Sequence, residues 1–141
     1  MHKLFWSFLG AAALTSPAAL AATSAASVVE QALMCEQGVG KAPAVEKALK
    51  SLGAKLDAKS GDYVLPAPVR PFGLTVSRVT VNTDDVETYI AVLPGGKNTD
   101  IARAAKLKEV AGEYTRDTKH GTLQTGLRNH TEVWLACTVT Q

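Results

Sequence analysis

The chain has 141 residues, 20% of them charged, and a formal net charge of +2. That near-balance excludes the basic footprint of a nucleic-acid binder, and the absence of any long like-charge run excludes an acidic or basic tail. With 46% hydrophobic residues and two cysteines, the chain is long enough for one domain with a modest core.

The first residues read as an export signal. Lys3 is a minimal positive region, Leu4 to Leu14 is an apolar run, Ser16 and Pro17 break it, and Ala19-Leu20-Ala21 is a small-x-small cleavage site. The run is shorter than the roughly 18 residues a membrane-spanning helix needs. Residues 1–21 are therefore expected to be a cleaved secretory signal peptide, with residues 22–141 as a single globular domain in the periplasm or exterior. The mature chain keeps a net charge of +1, and Tyr63, Phe72, Tyr89, Tyr114 and Trp134 are its only aromatic residues. That is thin for a stacking platform.

Ser24 to Cys35 reads as the first helix, with Val28, Val29, Ala32, Leu33 and Cys35 on one stripe and Gly38 and Gly40 as its stop. Ala42 to Leu52 is a second. Pro43 suits its first turn, Val45, Ala48, Leu49 and Leu52 share a face, and Gly53 ends it. Ala54–Ala58 and Tyr63–Leu65 read as a short hairpin around Lys59-Ser60-Gly61-Asp62. Pro66, Pro68 and Pro71 then require an extended connector or a protected edge.

Phe72 to Leu93 reads as the central hairpin. The alternation of Leu74 and Val76 slips by one before Val79 and Val81, so a β-bulge is expected at Ser77–Arg78. Asn82 to Asp85 supplies the turn. Ile90 and Val92 on one face, and Tyr89, Ala91 and Leu93 on the other, predict a central strand covered on both sides. After Pro94-Gly95-Gly96, Thr99 to Lys108 reads as a third helix with Asp100 in its first turn. Glu113–Thr118, Thr122–Arg128 and Glu132–Thr140 read as strands. The resulting order, α-α-β-β-β-β-α-β-β-β, predicts an α+β fold: one antiparallel sheet of five to seven strands, with two to three helices on one face. Helix-then-strands occurs twice, over 42–93 and 99–140, although the halves do not align residue by residue.

Few residues carry chemistry. Cys35 and Cys137, one near each end of an exported chain, are expected to form a disulfide. His120 and His130 fall in turns without metal-ligand spacing, so neither a metal site nor a cofactor is expected. Gly95, Gly96 and Lys97, between a strand and a helix, form a possible anion-binding loop, but the nucleotide-binding pattern fails: Ala91 stands where it needs glycine, and Asn98 follows the lysine. Asp57, Asp62, Asp84 and Asp85 read as solvated turn carboxylates rather than an acid–base pair. Asn129-His130-Thr131 fits a glycosylation acceptor, relevant only in a host with that machinery.

Two function classes are consistent with this. The first is a non-catalytic protein-binding or inhibitor module of the cell envelope or exterior, with Tyr89, Tyr114, Arg116, Arg128 and Trp134 as its partner surface. The second is a small exported enzyme, or a small-ligand or anion-binding protein, whose site assembles only in three dimensions. The lack of a nucleophile, acid–base pair or metal cluster favours the first.

Overall fold

The structure, a computed structural model, describes residues 17–141. The apolar run and Lys3 of the expected signal peptide lie outside these residues. Three helices, α1 (Pro17–Leu33), α2 (Ala42–Ser51) and α3 (Asn98–Ala104), accompany eight strands: β1 (Lys55–Leu56), β2 (Tyr63–Val69), β3 (Val76–Asn82), β4 (Thr88–Pro94), β5 (Lys108–Val110), β6 (Glu113–Asp117), β7 (Gly121–Leu127) and β8 (Glu132–Val139). All the strands form one antiparallel sheet in the order β1-β2-β3-β4-β8-β7-β6-β5. The fold is α+β, with one more strand than the expected maximum of seven. The addition is β5: the third helix stops at Ala104, because Lys106 turns left-handed (φ 55°), and Lys108, expected as its last residue, instead opens a strand that pairs with β6.

After α1, the chain runs twice through a helix followed by a four-stranded meander. The meanders join through their last strands, β4 and β8, whose register is centred on the pair Ala91↔Leu135. The helix ends repeat as well. After α2, Gly53 (φ 82°) is left-handed and the Ala54 N–H donates to the Leu49 carbonyl at 3.0 Å. After α3, Lys106 takes that role and the Leu107 N–H donates to the Ala102 carbonyl at 2.8 Å. Both are six-to-one C-terminal caps, and each is followed by a short edge strand.

Helix α1 starts earlier than expected. Pro17 to Ala21 are exposed, whereas Ala25, Val29, Ala32 and Leu33 are buried. The helix is stopped by Cys35 rather than by Gly38 or Gly40: Cys35 has φ 60°, and the Glu36 N–H donates to the Gln31 carbonyl at 2.9 Å. Cys35 is disulfide-bonded to Cys137 on β8, with Cα atoms 5.3 Å apart, which ties the helix layer to the sheet.

The register sorts the side chains into two faces. Tyr63, Val79, Ala91, Leu135 and Thr125 form one row across five strands, and Val81, Tyr89, Cys137 and Leu123 form another. This face packs against the helices and holds the core. Among the described residues no helix lies on the opposite face. The expectation that β4 would be covered on both sides is therefore corrected. Val92 is apolar on the open face because its in-register neighbours, Arg78 and Trp134, are large enough to leave it 1% exposed.

The expected irregularity of β3 is present, but its surplus lies elsewhere. Pairing jumps from Val64↔Arg78 to Val69↔Val76, so the extra residues are in β2, not at Ser77–Arg78. They include Pro66 and Pro68, which have no N–H to give to a ladder. Val76 and Val79, three apart, are both fully buried.

Candidate functional site

The open face presents three rows. Asn82, Thr88, Thr138, Thr122 and Asp117 form the first. Thr80, Ile90, Ala136, Gln124 and Thr115 form the second. Val64, Arg78, Val92, Trp134 and Gly126 form the third. Threonine tolerates a pleated, half-solvated surface well, which explains how this face stays without a cover. Trp134 is half-buried on β8, one of the two central strands. Its six-membered ring lies over Gly126: a Cβ there would sit 2.2 Å from Trp134 Cζ2.

One end of this face is closed by an ion network. Asp62 is completely buried. Its Oδ2 accepts from Arg78 Nη2 at 2.7 Å and from Arg128 Nη1 at 2.6 Å, and its Oδ1 accepts from the Thr80 hydroxyl at 2.5 Å. Arg78 also donates to Glu132 at 2.7 Å, and Arg128 to the Ser60 carbonyl at 3.2 Å. Burial opposes the charge on Asp62, but the hydrogen bonds from Arg128 and Thr80 and the two guanidinium charges outweigh it, holding its pKa below the ordinary aspartate value. The reading of Asp62 as a solvated turn carboxylate is corrected. Its partners lie 16, 18 and 66 residues away, and no local pattern announces them.

The expected partner-surface residues separate. Trp134 is on the open face. Tyr114 is half-buried at the start of β6. Arg128 is partly engaged in the Asp62 network, with its side chain 31% exposed. Tyr89 is 1% exposed and cannot belong to a surface: it pairs with Cys137 on the helix face, and its hydroxyl donates to Glu87. Burial and the neighbouring Glu87 carboxylate push the Tyr89 pKa up. Arg116 pairs with Leu123, again on the helix face, and its guanidinium carbon lies 5.7 Å from the centre of the Phe72 ring. In a strand, neighbouring residues face opposite ways, so the register decides each of these placements.

The possible anion loop is also corrected. The Gly95 N–H donates to the Thr131 carbonyl at 3.0 Å and the Gly96 N–H to the Leu93 carbonyl at 3.2 Å. Both glycine amides are consumed within the fold, so the exposed Lys97 side chain lacks the glycine donors expected beside it. His130 is exposed in the β7–β8 turn, and His120 is half-buried beside Gly38. Among the described residues no group of three or more His, Cys, Asp or Glu side chains is placed to hold a metal ion, and no helix is long and apolar enough to cross a membrane.

A second feature adjoins Trp134. Strands β6 and β7 pair only from Thr115↔Gln124 to Asp117↔Thr122. Beyond Thr115, Tyr114 and Glu113 stay with β5, while Thr125, Gly126 and Leu127 stay with β8. The sheet splits there and leaves a cleft of about 300 Å³, lined chiefly by Asn98, Glu113, Tyr114, Thr125, Gly126 and Trp134.

No protein-family model matches this chain, and no curated protein or solved structure is significantly similar to it. Its function has to be argued from its own geometry.

Proposed function

We propose that this protein is an exported, non-catalytic protein-binding module that engages its partner through the open face of the sheet. The observation that carries this reading is the position of Trp134: an amphipathic aromatic residue, half-exposed on a central strand, on the sheet face that no helix among the described residues covers. Tryptophan is enriched among residues that dominate binding energy, because it buries a large area at little entropic cost. Beside it lies the half-buried Ile90, with Val92 and Ala136 buried between their neighbours as support, bounded by threonines and by the Arg78–Glu132 pair. That is an apolar centre with a polar rim. Export is supported by the signal-like first 21 residues and by the disulfide, a bond that persists in oxidising compartments.

The test is capture from the native envelope with wild-type protein and with Trp134→Glu as baits. The proposal expects wild type to retain one stoichiometric protein and Trp134→Glu to lose it while keeping the wild-type circular dichroism. Retention of the same protein by a folded Trp134→Glu bait would remove the open face from consideration.

A further inference from the structure

The cleft between β6 and β7 is rich in acceptors and has no cation of its own. Asn98 Oδ1 and Thr125 Oγ1 both belong to residues lining it, and both are buried without a hydrogen-bond partner. Thr125 is 5% exposed overall, so its hydroxyl has been taken from water at a cost that nothing within the fold offsets. Glu113 stands at the same cleft. Gln124 Nε2 donates to its Oε2 at 3.0 Å, and among the described residues it forms no ion pair. Among the described residues no lysine or arginine lines the cleft, while Tyr114 and Trp134 do. Unpaired acceptors, a carboxylate and aromatic rings are the complement of a flat or compact organic cation, which the rings attract through their negative faces.

We infer that this cleft is a receptor for a basic side chain, arginine or lysine, presented by the protein partner proposed above, on which reading this inference rests. The cation donates to Glu113 and to the two orphaned oxygens, with its stem against Trp134. The split in the ladder is what makes the site: continued β6–β7 pairing would have brought the two strands together and filled the space with backbone. The cleft shares Trp134 with the open face, so one partner would bury the indole and insert its basic residue at the same time.

The test is nuclear magnetic resonance titration of the ¹⁵N-labelled full chain with N-acetyl-argininamide, N-acetyl-lysinamide and, as an uncharged isostere, N-acetyl-citrullinamide. The inference expects saturable shifts at Asn98, Glu113, Gln124, Thr125 and the Trp134 indole, with dissociation constants on the order of 1 mM for so small a ligand. Glu113→Gln should weaken binding about tenfold, the equivalent of one charge-assisted contact, and Thr125→Val several-fold. Equal binding of citrullinamide, or unchanged affinity in Glu113→Gln, would show that charge is not what the cleft reads; an absence of shifts would overturn the site. A blocked Gly-Arg-Gly peptide that binds more tightly than free arginine or agmatine supports a side chain of a protein. The reverse order would overturn that assignment in favour of a free amine. If the cation site fails while Trp134→Glu still abolishes capture, the open-face proposal survives and only this inference falls.

Discussion

The ring of Trp134 occupies the space in which any side chain at position 126 would have to stand. A Cβ on Gly126 would approach Trp134 Cζ2 to 2.2 Å and Cε2 to 2.6 Å, distances at which something must move. Gly126 is thus the seat of the indole, and the absence of its side chain sets the height at which the indole stands on the open face. Gly126→Ala is expected to tilt the ring, to lower stability by about 1–3 kcal/mol as overpacking does, and to weaken partner retention. Near-ultraviolet circular dichroism and urea unfolding measure both effects. A variant with the wild-type aromatic spectrum and midpoint would contradict this packing.

The Cys35–Cys137 bond closes a loop spanning 102 residues. The chain-entropy argument assigns such a loop roughly 4–5 kcal/mol, and removal of native disulfides from small secreted domains costs about 2–5 kcal/mol. The double variant Cys35→Ser, Cys137→Ser should therefore unfold at markedly lower urea, and reductant should shift wild type but leave the variant unchanged. Reductant sensitivity in the double variant would show that something other than this bond responds.

Asp62 makes stability depend on acid. Its pKa is held below the ordinary aspartate value in the folded chain, so the unfolded state takes up its proton first. The stabilisation is present above the unfolded value and is lost as pH falls through the folded one. Wild type should lose stability progressively below about pH 4, while Asp62→Asn should be less stable at neutral pH and flatter across the acid range. Asp62→Ala leaves Arg128 without its carboxylate and Arg78 with Glu132 alone. Because both are partly exposed, its cost should fall at or below the lower end of the usual range for broken buried pairs, about 3 kcal/mol. Parallel acid profiles for wild type and Asp62→Asn would refute the linkage.

Glu87 caps α2 from the far side of the fold. No side chain of Lys41, the residue at the cap position, does so. Instead the Glu87 carboxylate accepts the Gly40 N–H at 2.6 Å and the Lys41 N–H at 3.1 Å, as well as the Tyr89 hydroxyl. Burial raises the Glu87 pKa, but these donors outweigh it and leave the value lowered. Glu87→Ala should cost about 1–2 kcal/mol for the cap and about 1–3 kcal/mol more for the stranded, buried Tyr89 hydroxyl. Hydrogen exchange should accelerate at Gly40 and Lys41 while the β7 amides keep their protection. Uniform acceleration across both would mean that Glu87 acts on global stability rather than on this helix end.

Local pattern carried much of the architecture. The spacing of Val45, Ala48 and Leu49 made α2 legible, the alternation from Val133 to Val139 made β8 legible, and two lone cysteines behind a signal-like first segment pointed to their bond. These are one- and two-turn effects: a helix or strand needs an apolar face at its own period, and neighbouring residues alone supply it. Even the slip between Val76 and Val79 was visible, although the strand that absorbs it was not, because register belongs to a pair of strands.

What the residues did not disclose was which face each strand turns to its neighbours, and what arrives there from a distance. Tyr89 and Trp134 are both aromatic residues on strands, yet cross-strand register puts one in the core and the other in the open. Asp62 stands in a turn-like string, and only the meeting of Arg78 and Arg128 over it turns a solvated carboxylate into a buried one. The cleft at Thr125 exists because β6 follows β5 while β7 follows β8, a divergence with no mark in either strand's own sequence. Helical and strand periods are set by contacts within a few residues, so the sequence by itself determined the elements. Faces, ion networks and clefts are set by partners tens of residues apart, and only the tertiary structure decided them.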